Sequence, residues 1–218
     1  MKLISKKGFD FFCSADFVYF IDRDENYKDI FFKTDLDNTF EISKDEYTHT
    51  KFGKTWQTLE SAYTECIKLK NGEYLTCIFR DSIIFHHDIN GNKIKEYNIG
   101  HFKTGFDTTY SISVDKNQNL WIAQPTSHYV GQFSLDTEKE LFRIGGDYEK
   151  PDTFDHPEQV RIFGDFVFVC DMGNKRICKI NTDTKELTEY KIFIEPIFEY
   201  GQFKTKEIVK LNSGLYKL

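Results

Sequence analysis

The chain has 218 residues, and its 29 Lys and Arg against 35 Asp and Glu give a formal net charge of −6. Without a basic cluster, this acidic balance argues against nucleic acid or an anionic membrane as a partner. No apolar run approaches the roughly 20 residues of a membrane span, and the length fits one domain, which we expect to cover residues 1–218.

The composition is that of a strand-rich protein. The chain contains 22 Phe, 12 Tyr and 2 Trp. Alanine, the strongest helix former, occurs only as Ala15, Ala62 and Ala123. Aromatic and β-branched residues favour strands, so we predict an all-β fold and exclude a helical bundle or a doubly wound α/β fold.

The N-terminal segment MKLISKKGFDFF lacks the apolar core and small-residue cleavage site of a signal peptide. The five cysteines show no metal-ligand spacing, so we expect reduced thiols and a cytoplasmic protein. Cys66 and Cys77 lie symmetrically about Asn71-Gly72. A two-residue turn there would place the two cysteines opposite each other in a hairpin.

Similar units follow one another along the chain. Ser82–Ile99 aligns without gaps on Lys175–Ile192, and Gln124–Thr137 aligns without gaps on Asp171–Thr184. The two offsets fit one repeat of about 47 residues. The predicted units are Phe9–Ser43, Glu60–Ile99, Phe106–Ile144, Gln159–Ile192 and the half-unit Lys206–Leu218.

Each complete unit is predicted to contain four strands. In the last one these are Gln159–Phe163, Phe166–Cys170, Arg176–Asn181 and Leu187–Ile192. Four antiparallel strands in 40 to 50 residues are typical of a β-propeller blade. Four full blades and a half predict either a five-bladed ring that Met1–Ser5 completes or a partial six-bladed propeller.

One unit resembles the NHL repeat, a β-propeller family. The NHL pattern is Phe-x-x-Pro, two apolar strands around a Gly/Asp turn, and then Asp, Gly-Asn-x-Arg-Ile. The matching residues are Phe154, Pro157, Gly164-Asp165, Asp171, Gly173-Asn174, Arg176 and Ile177. This resemblance implies the propeller fold more than it implies an activity.

A second unit, Asn119–Phe133, resembles the repeat of streptogramin B lyases, which have Leu-Trp in the second strand. An acidic residue commonly follows that strand in those repeats, but Gln124 occupies this position here. The likeness to regucalcin and gluconolactonase propellers extends to the fold only, because their calcium ligands have no matching motif in this sequence.

The predicted loops are short on one face of the propeller and long on the other. The long connections are Lys44–Leu59, Gly100–Gly105, Gly145–His156 and Phe193–Thr205. Function concentrates on long loops of rigid scaffolds. The ligand-binding candidates on this face are Arg80, His101, Gln124, His156 and Asp171, and His49 and His128 also lie there.

The set around Asp171 and the histidine His87 are predicted to have structural roles. Asp171, Asn174 and Arg176 have the spacing of a clasp in which the carboxylate binds the guanidinium across a turn. His86 and His87 point to opposite faces of a strand, and His87 occupies an apolar repeat position. We therefore predict that His87 is a core histidine rather than a metal ligand.

The sequence contains no GxSxG, HExxH or phosphate-loop motif. We therefore expect a monomeric propeller that binds a protein, peptide or small ligand on its loop-rich face, with no cofactor and no assigned metal ligand. The alternative is a metal-dependent hydrolase or lyase, lactonase-like or streptogramin-lyase-like, with a divalent cation such as Ca²⁺ or Mg²⁺ in the central channel.

Overall fold

The protein is described from a computed structural model, which covers residues 1–52, 63–78, 83–99, 109–146 and 153–218. In these ranges the chain forms five four-stranded antiparallel sheets. The strands, in chain order, are β1 (Lys2–Ser5), β2 (Asp10–Cys13), β3 (Val18–Arg23), β4 (Asp29–Thr34), β5 (Thr39–Ile42), β6 (Tyr63–Lys68), β7 (Tyr74–Ile78), β8 (Ile83–His87), β9 (Lys93–Asn98), β10 (Ser111–Val114), β11 (Leu120–Gln124), β12 (Tyr129–Phe133), β13 (Glu140–Gly145), β14 (Pro157–Phe163), β15 (Phe166–Asp171), β16 (Arg176–Asn181), β17 (Leu187–Ile192), β18 (Ile197–Phe203), β19 (Lys206–Leu211) and β20 (Gly214–Lys217).

The five sheets are the blades of a five-bladed β-propeller, which confirms the predicted fold. Blades 1 to 4 are β2–β5, β6–β9, β10–β13 and β14–β17, each with its strands in sequence order. The predicted bounds of β16 and β17 agree with the structure, whereas β14 begins earlier, at Pro157.

Blade 5 joins the two ends of the chain. Its order is β1-β20-β19-β18, and in the pairing of β1 with β20 Lys2 lies opposite Lys217 and Leu3 opposite Tyr216. The predicted role of Met1–Ser5 in closing the ring is therefore confirmed. The predicted half-unit Lys206–Leu218 lacked one strand of this blade. That strand is β18, which lies inside the predicted loop Phe193–Thr205 and is the innermost strand of blade 5.

A second predicted loop, Lys44–Leu59, begins with a helix, α1 (Lys44–Phe52). The Ser43 hydroxyl accepts a hydrogen bond from the Glu46 N–H at 3.0 Å, and this Ser-x-x-Glu spacing is that of a capping box. The remainder of the predicted loop lies outside the described residues. No helix in the described ranges has the length and apolar character needed to cross a membrane.

The predicted pairing of Cys66 with Cys77 is wrong by one residue. Cys66 lies opposite Thr76, and Glu65 lies opposite Cys77. The turn has three residues rather than two, because Gly72 adopts a φ of 90° and adds a residue to the loop. All five cysteines are free thiols.

Apolar clusters fill the spaces between neighbouring blades. Ile84 of blade 2 packs in one cluster with Ile122 of blade 3, and Trp121 of blade 3 packs in another with Val167 of blade 4. Two more clusters join blade 4 to blade 5 and blade 5 to blade 1. Burial of these large side chains holds the blades in one ring around an axial channel.

Candidate functional site

The channel is lined by the innermost strand of each blade: β2, β6, β10, β14 and β18. All five run in the same direction, from the face with the long connections towards the face with the short turns. One polar side chain near the start of each inner strand lines a cavity of about 590 Å³ at the channel mouth. These five residues are Asp10, Glu65, Ser111, Gln159 and Glu199.

Four of these side chains also bind the next blade around the ring, because each accepts a hydrogen bond from a backbone N–H of that blade. The donors are Ile112 to Glu65 (2.6 Å), Val160 to Ser111 (3.1 Å), Tyr200 to Gln159 (2.7 Å) and Phe11 to Glu199 (3.3 Å). The same residues therefore stabilise the ring and give the channel its polar lining.

Asp10, the fifth residue, binds helix α1 instead. Its carboxylate accepts a hydrogen bond from the Tyr47 hydroxyl at 2.9 Å and forms an ion pair with Lys51. The helix after blade 1 thus brings a cation into the channel.

Glu65 is paired as well. Arg161 Nη2 donates to Glu65 Oε1 at 2.6 Å, and Arg161 Nη1 donates to the Ser111 hydroxyl at 3.0 Å. Lys51, Glu65 and Arg161 line both the mouth cavity and a second cavity of about 260 Å³ further along the inner strands. These three side chains therefore lie at the constriction between the two cavities.

This donor set does not suit a divalent cation. Asp10 and Glu65 are already neutralised by Lys51 and Arg161, and Glu199 accepts a backbone hydrogen bond. A calcium or magnesium ion needs several oxygen ligands free to turn towards it, so we derive no chemistry through a metal in the channel.

Two acids at the mouth have raised pKa values. Burial raises the pKa of Glu158 to about 7. Burial, and then the nearby charge of Asp10, raises the pKa of Glu199 to about 8. Burial also lowers the pKa of Lys210 at the same mouth. The charge of the mouth therefore changes near neutral pH.

The raised pKa of Glu199 predicts how stability depends on pH. Between about pH 4.5 and pH 8 the folded protein keeps this proton while the unfolded chain has lost it, so the free energy of unfolding falls as pH rises. The free energy of unfolding, measured with urea, should fall less between pH 5 and pH 8.5 in Glu199→Gln than in the unmodified protein. The difference should be on the order of 1–3 kcal/mol. Glu186→Gln, at an exposed carboxylate, is the control. Equal pH profiles for Glu199→Gln and the unmodified protein would contradict the assignment.

The predicted site residues are not all in the described structure, and those that are do not line the channel. Arg80 and His101 lie outside the described residues. Gln124 is fully buried at the end of β11, where its amide nitrogen donates to Thr109 at 3.3 Å. Its Oε1 has no hydrogen-bond partner among the described residues. The role of these residues in ligand binding stays a prediction.

Asp171 forms the predicted clasp. Its Oδ2 accepts hydrogen bonds from Arg176 at 2.8 Å and from Asn174 at 2.9 Å, and its Oδ1 accepts one from the Asp155 N–H at 2.7 Å. Burial raises the pKa of Asp171, although Arg176 and Asn174 favour its charged form. This carboxylate is a structural centre that fixes the loop before blade 4.

The predicted placement of His86 and His87 on opposite faces of their strand is confirmed. His87 is 2 % exposed and is bonded to Thr76 at 2.9 Å, which confirms it as a core histidine. His86 points to the other face of β8 and pairs with Glu73 at 2.7 Å. His156 is half-exposed on the loop-rich face beside His128.

Five channel residues were not predicted from the sequence: Asp10, Glu65, Glu158, Arg161 and Glu199. A signal was present, since a polar residue recurs at one position of successive inner strands, as in TECIK, PEQVRIF and IFEYGQF. Taken one strand at a time, such a residue resembles an ordinary solvent-facing position.

The fold and this charged channel mouth define a β-propeller with an axial polar site. No protein-family model and no curated protein matches the sequence. Among solved structures, virginiamycin B lyase from Staphylococcus aureus has a TM-score of 0.52 at 15 % identity, covering 100 % of this chain and 72 % of the lyase.

Two further solved structures show the same architecture. A streptogramin B lyase has a TM-score of 0.51 at 15 % identity, covering 100 % of this chain and 70 % of its own. The WD40 repeats of RRP9 have a TM-score of 0.54 at 7 % identity, covering 72 % of this chain and 51 % of theirs. Identities this low establish the propeller fold alone, so the finer resemblance to NHL repeats stays a prediction.

Proposed function

We propose that this protein is a binding propeller that holds a small ligand with a carboxylate or phosphate group at the mouth of its axial channel. The observation that carries the proposal is a group of three lysines, Lys6, Lys7 and Lys210, which line the cavity of about 590 Å³. Among the described residues these three ammonium groups form no direct ion pair, and Lys7 donates to the Arg23 carbonyl at 3.3 Å. The charges of Glu199, Asp22 and Glu195 act on Lys210 from a greater distance and favour its charged form.

The charges at the mouth support an anionic ligand. Lys51 and Arg161 neutralise Asp10 and Glu65. The other two acids, with their pKa values raised to about 7 and about 8, are largely protonated at slightly acidic pH. Among the side chains that line the cavity, the three lysines then leave an excess of positive charge, which attracts an anion.

The shape of the mouth supports a ligand of small size. Phe9 and Phe198 also line the cavity and offer apolar surface beside the lysines. A cavity of about 590 Å³ is within the usual range for small-molecule sites, which combine apolar walls with a few placed polar groups. We therefore expect a ligand with an anionic end and an apolar or sugar-like body.

A thermal-shift panel tests this proposal. Citrate, glucose 6-phosphate, AMP and a short peptide with a free acidic C-terminus are compared with glucose, adenosine and the amidated peptide. An anion at 100 times its Kd adds about 2.7 kcal/mol, or roughly 5–10 °C in Tm for a chain of this size. The peptide pair distinguishes a peptide carboxylate from a small-molecule anion.

Matched variants locate the binding. Lys6→Gln and Lys210→Gln should each reduce the Tm shift by at least half, because each removes one cation from the mouth. Lys139→Gln, at an exposed lysine on a short turn of blade 3, should leave the shift unchanged. Equal shifts with neutral and anionic compounds, or equal shifts in all three variants, would reject the anionic site.

A second candidate function is acid–base catalysis by a hydrolase or lyase. It is favoured by Glu158, whose pKa of about 7 is suited to proton transfer near neutral pH, at the mouth of a cavity. Quinupristin, the ligand named with a virginiamycin B lyase, and simple lactones are suitable probes. Mass spectrometry should reveal cleavage products of these probes in the presence of the protein and none with the Glu158→Gln variant. If the probes stay intact with the unmodified protein, the catalytic function is rejected.

A further inference from the structure

A cluster of two histidines and one aspartate lies on the loop-rich face at the junction of blades 3 and 4. His128 follows the 3-10 turn Pro125–Ser127 that connects β11 with β12. Asp155 and His156 directly precede β14, the inner strand of blade 4. The cluster is therefore assembled from neighbouring blades, and none of its three residues lines the channel cavity.

The three side chains converge on one point. Asp155 Oδ1 lies 2.7 Å from His156 Nδ1 and 3.4 Å from His128 Nδ1. The two imidazole rings are 4.4 Å apart between centroids and inclined at 77°. Among the described residues, this is the one group of three His, Cys, Asp or Glu whose potential ligand atoms all lie within 4.8 Å of one another.

The backbone holds this cluster in an unusual conformation. His128 and His156 both have left-handed backbones, with φ of 54° and 52°. Residues other than glycine rarely adopt this backbone conformation, and it persists where the surrounding structure enforces it. Here the Asp155 N–H donates to the buried carboxylate of Asp171 at 2.7 Å, so the Asp171 clasp fixes the position of the cluster.

A glycine makes room for the carboxylate. A Cβ atom on Gly173 would lie 2.2 Å from Asp155 Oδ2, well inside van der Waals contact. The Gly173 N–H also donates to the Asp155 carbonyl at 2.8 Å. The loop after β15 is thus shaped to accept Asp155 in the orientation that faces the two histidines.

We propose that His128, Asp155 and His156 bind a zinc ion. Two imidazole nitrogens and one carboxylate oxygen are zinc ligands, and three protein ligands leave a fourth position for water or an exogenous group. This site is independent of the anionic site in the channel mouth, and the proposal does not rest on that function.

Ligand atoms at 2.0–2.1 Å from a tetrahedral zinc lie roughly 3.3 Å apart, and His128 Nδ1 and Asp155 Oδ1 are separated by 3.4 Å. His156 Nδ1 and Asp155 Oδ1, at 2.7 Å, have to move apart when the ion binds. His128 Nδ1 accepts a hydrogen bond from the His156 N–H at 3.2 Å, so it carries a lone pair rather than a proton. Binding replaces this bond with a metal bond. His156 Nδ1 likewise exchanges its contact with Asp155 for the metal, and the single proton of the neutral imidazole is then on Nε2.

Titration of the full-length protein with zinc chloride, by calorimetry and by competition with a chromogenic chelator, tests the proposal. Cobalt(II) absorption reports the coordination geometry. We expect one ion per chain, and a loss of at least tenfold in affinity for His128→Asn and for His156→Asn. Asparagine is the chosen substitute because it tolerates the left-handed backbone, so these variants should fold normally.

His49→Asn is the matched control, since His49 is an exposed histidine on α1. It should bind zinc as tightly as the unmodified protein. Circular dichroism and thermal melts verify that each variant is folded. The proposal is overturned if folded, unmodified protein binds no zinc, or if the two cluster variants bind it as tightly as His49→Asn does.

Discussion

Deletion of residues 1–6 is expected to lower the melting temperature by about 10 °C or more. The deletion removes β1, whose pairing with β20 joins the two ends of the ring. It also removes Ile4 from the cluster between blades 5 and 1, and the hydrogen bond of 2.6 Å from Ser5 to Asp22. The exposed edge of β20 should then pair with other molecules, so light scattering should detect dimers or aggregates.

A peptide added in trans provides the control for this deletion. An excess of the synthetic hexapeptide MKLISK should restore part of the lost melting temperature, because a ligand that binds only the folded state stabilises it. A scrambled hexapeptide should not. A deletion variant that stays monomeric and melts at the original temperature would show that β1 does not hold the ring closed.

The second large effect is expected at the Asp171 clasp. Asp171→Ala should cost about 2–4 kcal/mol of unfolding free energy, since it leaves the Arg176 guanidinium and the Asp155 N–H without their buried acceptor. Arg176→Ala should cost a similar amount. The double variant should be less destabilised than the sum of the two, with a coupling of about 1–3 kcal/mol in urea unfolding.

The chain offers a matched control for this cycle. Arg23 and Asp29 are also paired across adjacent strands and lie 2.7 Å apart, but their side chains are 39 % and 44 % exposed, whereas that of Asp171 is 0 % exposed. An exposed pair contributes little, so its coupling should stay below about 1 kcal/mol. Equal couplings for the two pairs, or strictly additive losses at Asp171 and Arg176, would contradict the structural role of the clasp.

The blades with clear internal similarity could be predicted from the sequence. Alternating apolar residues and turn residues are local properties, which is why the predicted bounds of Arg176–Asn181 and Leu187–Ile192 agree with the structure. The clasp was predictable for the same reason, because Asp171 and Arg176 are close in the chain and belong to one turn.

Elements outside the repeat alignment were missed. The strand β18 (Ile197–Phe203) contains Glu199 and Gly201 and shares few residues with the other inner strands, so the alignment ended before it. The Ser43 hydroxyl caps helix α1, but the helix is polar in composition and its core-facing side rests mainly on Tyr47. Such short elements owe their stability to tertiary contacts more than to local preference.

The channel mouth could not be predicted from local spacing. Lys6 and Lys7 follow the first strand of the chain and Lys210 lies near its other end, and closure of the ring brings them to one cavity. The proton affinity of Glu199 likewise arises from burial and from Asp10, a residue of the neighbouring blade. These properties belong to the closed propeller, not to any single unit.

A crystal structure of the protein with the anionic compound that gives the largest thermal shift is the most direct test of the proposed binding function. We expect density for the ligand in the channel mouth, with its carboxylate or phosphate oxygens within hydrogen-bond distance of at least two of Lys6, Lys7 and Lys210. Ligand density confined to other surfaces, or a channel mouth that holds only water at saturating ligand concentration, would contradict it.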